Sequence, residues 1–355
     1  MKPVKNILVI RFRRVGDAVI SSVICSTLRK TFPNARIDYV LNREIAPLFE
    51  NHPDVDNVIT FSREEIKTLP VYLEKVRKTM KAGCYDLIVD IRSTLKTICF
   101  SAFSLATPYR IGKTKPYNIF LHNHRVNTAI NGDEIERTLT ILAPLEKNFQ
   151  VQYERRFRLY VSEEEKAAFR KQMEYCGIDF AKPVVVCAVA TRIPHKMWAA
   201  EKMAALLSRI VETFDVQLVF NYGGSKEELI AGQIKEAMGN NPRVFTNVKA
   251  ETLRDLMALI ANSDFFFGNE GGPRHISQAL DVPSFAIYPP GAAKRIWLPN
   301  ACERFLGIEA EDISEKAGNP ALSYEEKFDF ITVDEVWNRL HPALERMVAK
   351  GNRGV

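Results

Sequence analysis

No stretch of about 18 consecutive apolar residues occurs in the chain, so a membrane-spanning helix is not expected. The opening MKPVK passes at once into a short strand-like run and then RFRR, which does not read as a secretory leader. Cysteine is sparse, with six residues at positions 25, 84, 99, 176, 187 and 302. Their spacing shows no pairs, so they read as buried free thiols of a reducing compartment. Internal repeats and low-complexity segments are missing. So are a GxGxxG fingerprint, a P-loop and a convincing carboxylate or histidine cluster for a metal. Aromatic residues are not interleaved with the charges as stacking platforms for a nucleic acid would be, which ranks that partner last.

What remains is an ordinary soluble composition of 355 residues, 46% hydrophobic and 26% charged. At this length two domains are expected. The formal net charge of +6 fits an anionic ligand or an anionic membrane surface. Strand and helix patterns alternate in two successive cycles. The first runs through NILVI (Asn6–Ile10), IDYVL (Ile37–Leu41), NVITF (Asn57–Phe61), YDLIVDI (Tyr85–Ile91) and YRIG (Tyr109–Gly112). Helical spacing covers 17–32, 64–82, 95–106 and 132–145, and the basic segment 113–131 reads as irregular. The second cycle opens at PVVVCAVA (Pro183–Ala190) and continues through VQLVF, RVFTNV, DFFFGN and SFAIY, with helices between and a last helix over 333–349. Such alternation predicts two doubly wound parallel sheets, whose ligands bind outside the carboxyl ends of the strands.

Three stretches carry chemistry. RFRRVGD follows the first strand and sets Arg11, Arg13 and Arg14 beside a lone carboxylate, Asp17. Asp17 reads equally well as a helix N-cap or as a functional group. ATRIPHKMW places Thr191, Arg192, His195 and Lys196 in a loop before a helix start, where phosphates are favoured. FFFGNEGGPRHISQAL combines a strand buried on both faces with bare glycine amides at a helix start and His275 in its first turn.

Taken together, ILVIRFRRVGDAVISS…, RIPHKMW and GNEGGPRHISQALDVPSFAIYPP resemble glycosyltransferase family 9, the ADP-heptose:lipopolysaccharide heptosyltransferases. The resemblance runs from about residue 5 to 345. It implies an α/β GT-B fold, with two Rossmann-like doubly wound parallel-sheet domains facing a cleft. Residues 1–165 would bind the acceptor, 166–330 the nucleotide-sugar donor, and 331–355 would form a helix packing back on the N-terminal domain.

By the same resemblance, Asp17 is the general base. Thr191, Arg192 and Lys196 hold donor phosphates, joined by Glu270, Gly271, Gly272 and His275 of the glycine-rich loop, with Ser225 and Glu227 near the nucleoside. Arg11, Arg13, Arg14, Lys96, Arg110, Lys113, His122 and His124, with Lys115 and Arg125, would hold the anions of a lipopolysaccharide inner-core acceptor. Family members carry Asp followed by Ser or Thr where this chain has Glu270-Gly271, which puts the donor sugar's identity in question. The implied enzyme is a monomeric, metal-independent and cofactor-free inverting transferase. It would be cytoplasmic and peripherally attached to the inner face of the cytoplasmic membrane. Two alternatives stand beside it. One is a non-catalytic or differently specific nucleotide-sugar binder. The other takes Asp54–Asp56 as an Asp-x-Asp metal motif, although turns favour Asp in any case.

Overall fold

The structure is a computed structural model describing residues 3–12, 14–128 and 130–351. The chain divides into two units, Met1–Tyr160 and Val161–Val355. The boundary therefore falls five residues before the expected one, because Ser162 already caps the first helix of the second unit. Its hydroxyl accepts from the Glu165 amide and the Glu165 carboxylate accepts from the Ser162 amide.

The first unit is built on β1 (Asn6–Ile10), β2 (Arg36–Asn42), β3 (Asn57–Phe61), β4 (Leu87–Asp90), β5 (Tyr109–Lys113) and β6 (His124–Val126). They form one parallel sheet in the order β3-β2-β1-β4-β5-β6, with Val9 opposite Val89 across the central pair. The second unit has β7 (Val184–Ala188), β8 (Gln217–Phe220), β9 (Val244–Phe245), β10 (Phe265–Asn269), β11 (Ser284–Ile287) and β12 (Phe305–Ile308). Its order, β9-β8-β7-β10-β11-β12, repeats the same topology, and Phe267 faces Cys187 in register. Each sheet thus reverses strand order at one place, between β1 and β4 and between β7 and β10. Crevices at such switch points are where open parallel sheets bind ligands.

The central strands are continuous apolar runs because helices cover both faces. Phe265, Phe266 and Phe267 are all buried. Phe265 and Phe267 join the core that also holds Val185, Leu218 and Ile287. Several expected helices are shorter or broken. The stretch 17–32 forms two helices, Val15–Ser21 and Val23–Thr31. The stretch 64–82 forms Arg63–Lys67 and Leu69–Gly83, parted at Thr68 where Pro70 disfavours continuation. Only Ile98–Ala102 of 95–106 is helical, and Glu134–Leu139 passes into a tighter turn that accommodates Pro144.

The last helix, Val333–Gly351, belongs to the second unit. Its apolar face (Val336, Trp337, Leu340, Leu344) completes the core formed by Leu207, Ile210 and Val211 on the helix Ala200–Thr213. The Arg209 guanidinium lies 4.3 Å from the Trp337 ring centroid and bonds Asp334 at 2.8 Å. All six cysteines are free. Cys25 and Cys187 are buried, but Cys84 and Cys302 are exposed, so burial was correctly expected for only part of the set.

Candidate active site

At the first switch point, the chain leaves β1 through Arg11 and enters the helix Val15–Ser21. Arg14, extended at φ −74° and ψ 167°, is the N-cap and makes no side-chain capping bond. Asp17 is therefore the third helical residue, not the cap. Arg11, only 4% exposed, donates from Nη2 to Asp17 Oδ1 at 2.9 Å. The same nitrogen lies 3.5 Å from Glu134 Oε1, at the start of the helix Glu134–Leu139. Arg11 is thus clamped between two carboxylates, an arrangement in which it orients Asp17. Burial raises the Glu134 carboxyl above its usual range against the opposing pull of Arg11 and Lys113. Lys113, at the end of β5, joins this group. Burial and then the Arg11 charge lower its pKa, while Glu134 acts to raise it. Glu134 was missed in the sequence because it reads as an ordinary first-turn acidic residue.

The remaining expected acceptor residues separate in space. Arg14 is exposed beside the pair, and Arg13 lies outside the described residues. Lys96 is exposed, and its Nζ donates to the Ile66 carbonyl at 2.9 Å. Arg110 is a strut: buried in β5, it donates to the carbonyls of Leu105, Thr107 and Leu121 at 2.6–2.8 Å. His124 stacks on Tyr109, with ring centroids 5.7 Å apart. His122 is buried, with Nδ1 3.0 Å from the Asn118 amide nitrogen. That donor makes Nδ1 the acceptor and leaves the proton on Nε2, 3.7 Å from Asp90 Oδ2. Burial pushes Asp90 up to about 6 and His122 down to about 4. Arg110 and His122 are thus held by internal hydrogen bonds, and half-buried His124 packs on Tyr109. The end of the basic segment 113–131, expected to be irregular, forms the edge strand β6.

Asp54 and Asp56 are likewise committed. Asp54 accepts from the Ser26 hydroxyl at 2.6 Å, and Asp56 accepts from Arg29 at 2.5 Å and from the Ile37 amide at 2.7 Å. Among the described residues no group of three or more His, Cys, Asp or Glu is placed to hold a metal ion.

The second switch point is more tightly built. Asn269, 2% exposed at the end of β10, donates to the carbonyls of Ala188 and Val189 at 3.0 and 3.1 Å. Its Oδ1 accepts from the Trp198 amide at 2.8 Å, and the Trp198 indole donates to Ile331. This fixes both ends of the loop 189–198, which carries Thr191 and Lys196. Gly268 is required here. Its φ is +143°, and a Cβ would stand 2.4 Å from the Ala188 carbonyl oxygen. The Thr191 hydroxyl donates to the Ile193 carbonyl at 2.7 Å, Arg192 is exposed, and Lys196 ends a short turn over Pro194–Lys196.

Gly271, extended, caps the helix Gly272–Ala279. The Glu270 carboxylate sits 3.4 Å from His275 Nε2, and both side chains are nearly buried. Burial acts to raise Glu270, but the hydrogen bond from His275 and the nearby positive charges of Arg274 and Lys196 oppose it, and the carboxyl lies below its usual range. Arg274 is fully buried and donates to Gln278 Oε1 at 2.5 Å, to the Trp297 carbonyl and to His275 Nδ1 at 2.6 Å. An arginine donating to Nδ1 leaves the His275 proton on Nε2, facing Glu270. Arg274 therefore positions His275, a role not evident from sequence, where nothing marks it as buried. Ser225 starts the helix Ser225–Ala237. Glu227 closes the preceding turn by accepting from the Gly223 amide at 2.9 Å. The resulting collection of cationic side chain, bare helix-start amides and an oriented Glu–His pair suits a phosphorylated, hydroxyl-rich ligand.

Twin parallel sheets of identical topology, each with polar machinery at its switch point, define the GT-B class of glycosyltransferase fold. The sequence model of glycosyltransferase family 9 (heptosyltransferase) matches residues 73–314, and the chain belongs to that family. Lipooligosaccharide heptosyltransferase 2 of Haemophilus influenzae is 22% identical over 351 residues, covering 96% of this chain and all of its own. Among solved structures, a family 9 glycosyl transferase from Veillonella parvula superposes with a TM-score of 0.81 at 17% identity, covering 98% of this chain and 99% of that one. The E. coli heptosyltransferase WaaC with ADP-2-deoxy-2-fluoro heptose does so at 0.66 and 16%, covering 95% and 99%.

Proposed function

We propose that this protein is an inverting glycosyltransferase. It moves a heptose from a nucleotide-diphosphate sugar, ADP-heptose in the first instance, to an anionic lipid-linked inner-core acceptor. Asp17 takes the proton of the acceptor hydroxyl, whose oxygen attacks the anomeric carbon as the bond to the diphosphate breaks. A single displacement inverts the configuration. Arg11 and Glu134 orient Asp17. Lys196 and the amides at the start of the helix Gly272–Ala279 receive the charge that develops on the leaving diphosphate. Thr191, Arg192, Ser225 and Glu227 complete the donor side, and Arg14 and Lys113 contribute charge for the acceptor. In this reading a monomer works without a metal or nucleic acid, on the cytoplasmic face of the inner membrane.

The observation that carries the proposal is the Lys196–Glu270–His275 group at the second switch point of a family 9 chain. The relative solved with a fluorinated ADP-heptose supports that donor class. Glu270 also favours a second reading, a donor sugar other than heptose. The resemblance places a shorter Asp there, and a longer carboxylate already engaged with His275 reshapes the sugar's partner. Calorimetry against a panel of nucleoside diphosphates and nucleotide sugars tests both readings. Tightest binding of ADP-heptose supports the first, preference for another sugar supports the second, and binding of none rejects both.

A further inference from the structure

Residues 91–132 contain six Lys and Arg and no Asp or Glu, which accounts for the whole formal net charge of +6. This is the segment that supplies the crossovers from β4 to β5 and from β5 to β6. Hydrogen bonds join the two crossovers at both ends. The Tyr117 hydroxyl donates to the Ser93 carbonyl at 2.8 Å, and Arg110 donates to the Leu105 and Leu121 carbonyls. On the joined surface Leu95, Phe103, Leu105, Tyr117, Ile119 and Phe120 are all exposed, Phe120 at 86%. Their outward placement is enforced from beneath. Asn118 and His122, one helical turn apart, are buried, and the Asn118 amide donates to the Lys113 carbonyl. Ile119 and Phe120, between them, therefore face solvent.

Six large apolar side chains on adjoining loops exceed the scatter of single exposed residues found on ordinary surfaces. Lys96, Lys115 and Arg125 are exposed on the same segment, which carries no carboxylate of its own. A protein partner is commonly matched by charges of both signs. Exposed apolar side chains on a segment whose charges are all positive match an anionic lipid surface, in which apolar side chains enter the headgroup boundary and lysines meet phosphate.

We infer that this surface docks the protein on an anionic bilayer, with Ile119 and Phe120 inserted and Lys96, Lys115 and Arg125 on the headgroups. The inference rests on the lipid-linked acceptor proposed above, and it changes the nature of the attachment. Binding has an apolar component that salt does not remove, in addition to the electrostatic one that it does.

The test is vesicle flotation of the full chain, with phosphatidylcholine vesicles and with phosphatidylcholine doped with phosphatidylglycerol, at low and high salt. The wild type floats with the phosphatidylglycerol vesicles and retains part of that binding at high salt. The double substitution Ile119→Ser/Phe120→Ser lowers the partition about tenfold or more, on the scale of burying such side chains. Its melting temperature is unchanged, because both positions are exposed. In Phe120→Trp, the emission gained over the wild type shifts to shorter wavelength on the same vesicles. Equal flotation of the double variant, or an unshifted emission, overturns the inference. Transfer to a water-soluble acceptor fragment separates the two proposals. A double variant that keeps this transfer but loses flotation supports docking. A wild type that floats but transfers to no acceptor rejects the enzymatic reading and leaves docking supported.

Discussion

Replacing Asp17 with Asn distinguishes a catalytic carboxylate from a structural one, and the geometry sets the scale of each effect. Arg11 is 4% exposed and donates to Asp17 at 2.9 Å, so neutralising Asp17 removes a partner from a buried cation. Stranding such a charge completely costs about 3–5 kcal/mol. Here Glu134 remains 3.5 Å from the same nitrogen, and the amide oxygen of the variant can still accept a hydrogen bond. The expected loss is therefore about 1–2 kcal/mol, or a few degrees in melting temperature. Catalysis should respond on a different scale, because an amide keeps the shape and cannot take a proton. Transfer should fall by about 10²–10⁴-fold. Donor affinity should not change, since the donor residues belong to the other unit. The assay is transfer rate, donor affinity by calorimetry and melting temperature on one preparation. A folded Asp17→Asn protein with a near wild-type rate would remove Asp17 from the mechanism.

Three further perturbations probe other parts of the molecule. Gly268→Ala drives a Cβ into the Ala188 backbone at φ +143°, and urea denaturation should register a loss of about 2–4 kcal/mol. Lys196→Ala should weaken binding of ADP about tenfold by calorimetry at unchanged melting temperature, through loss of a charged phosphate partner; unchanged affinity would make Lys196 a surface charge. Burial raises Asp90 to about 6, so the stability contributed by its protonated form is complete below the unfolded carboxyl range and is lost as pH rises through about 6. Asp90→Asn removes that dependence. Between about pH 4 and 7 the wild type should lose up to about 3 kcal/mol relative to the variant, and parallel profiles would contradict the assignment.

The parallel topology was legible because continuous apolar runs such as Phe265–Phe267 alternate with helical spacing, and that pattern has few folded solutions. The two switch-point loops were legible for a related reason. RFRRVGD and GNEGGPRH place charge and glycine where a strand must turn into a helix. The strands β6 and β12 were missed. HRV is a three-residue edge strand with no alternation to detect, and FLGI is interrupted by a glycine. With β6 unseen, His122 and His124 read as part of an irregular basic segment rather than of a sheet edge. Arg110 was correctly read as a strand residue, but the sequence does not show that its donors are taken by the carbonyls of Leu105, Thr107 and Leu121. Glu134 and Arg274 were overlooked for the opposite reason. Each looks unremarkable locally: Glu134 acquires its role from Arg11, which the sheet topology brings beside it, and Arg274 from burial that turns its guanidinium onto His275, Gln278 and Trp297.

The measurement closest to the central claim is sugar transfer itself. Purified full-length protein is incubated with ADP-heptose and a lipopolysaccharide acceptor lacking that heptose, in excess chelator, and the product is examined by mass spectrometry and anomeric proton NMR. The account predicts release of one ADP per heptose transferred, with inversion at the anomeric carbon and no requirement for added metal. Retention of configuration, or activity that appears only when magnesium or manganese is restored, would contradict it.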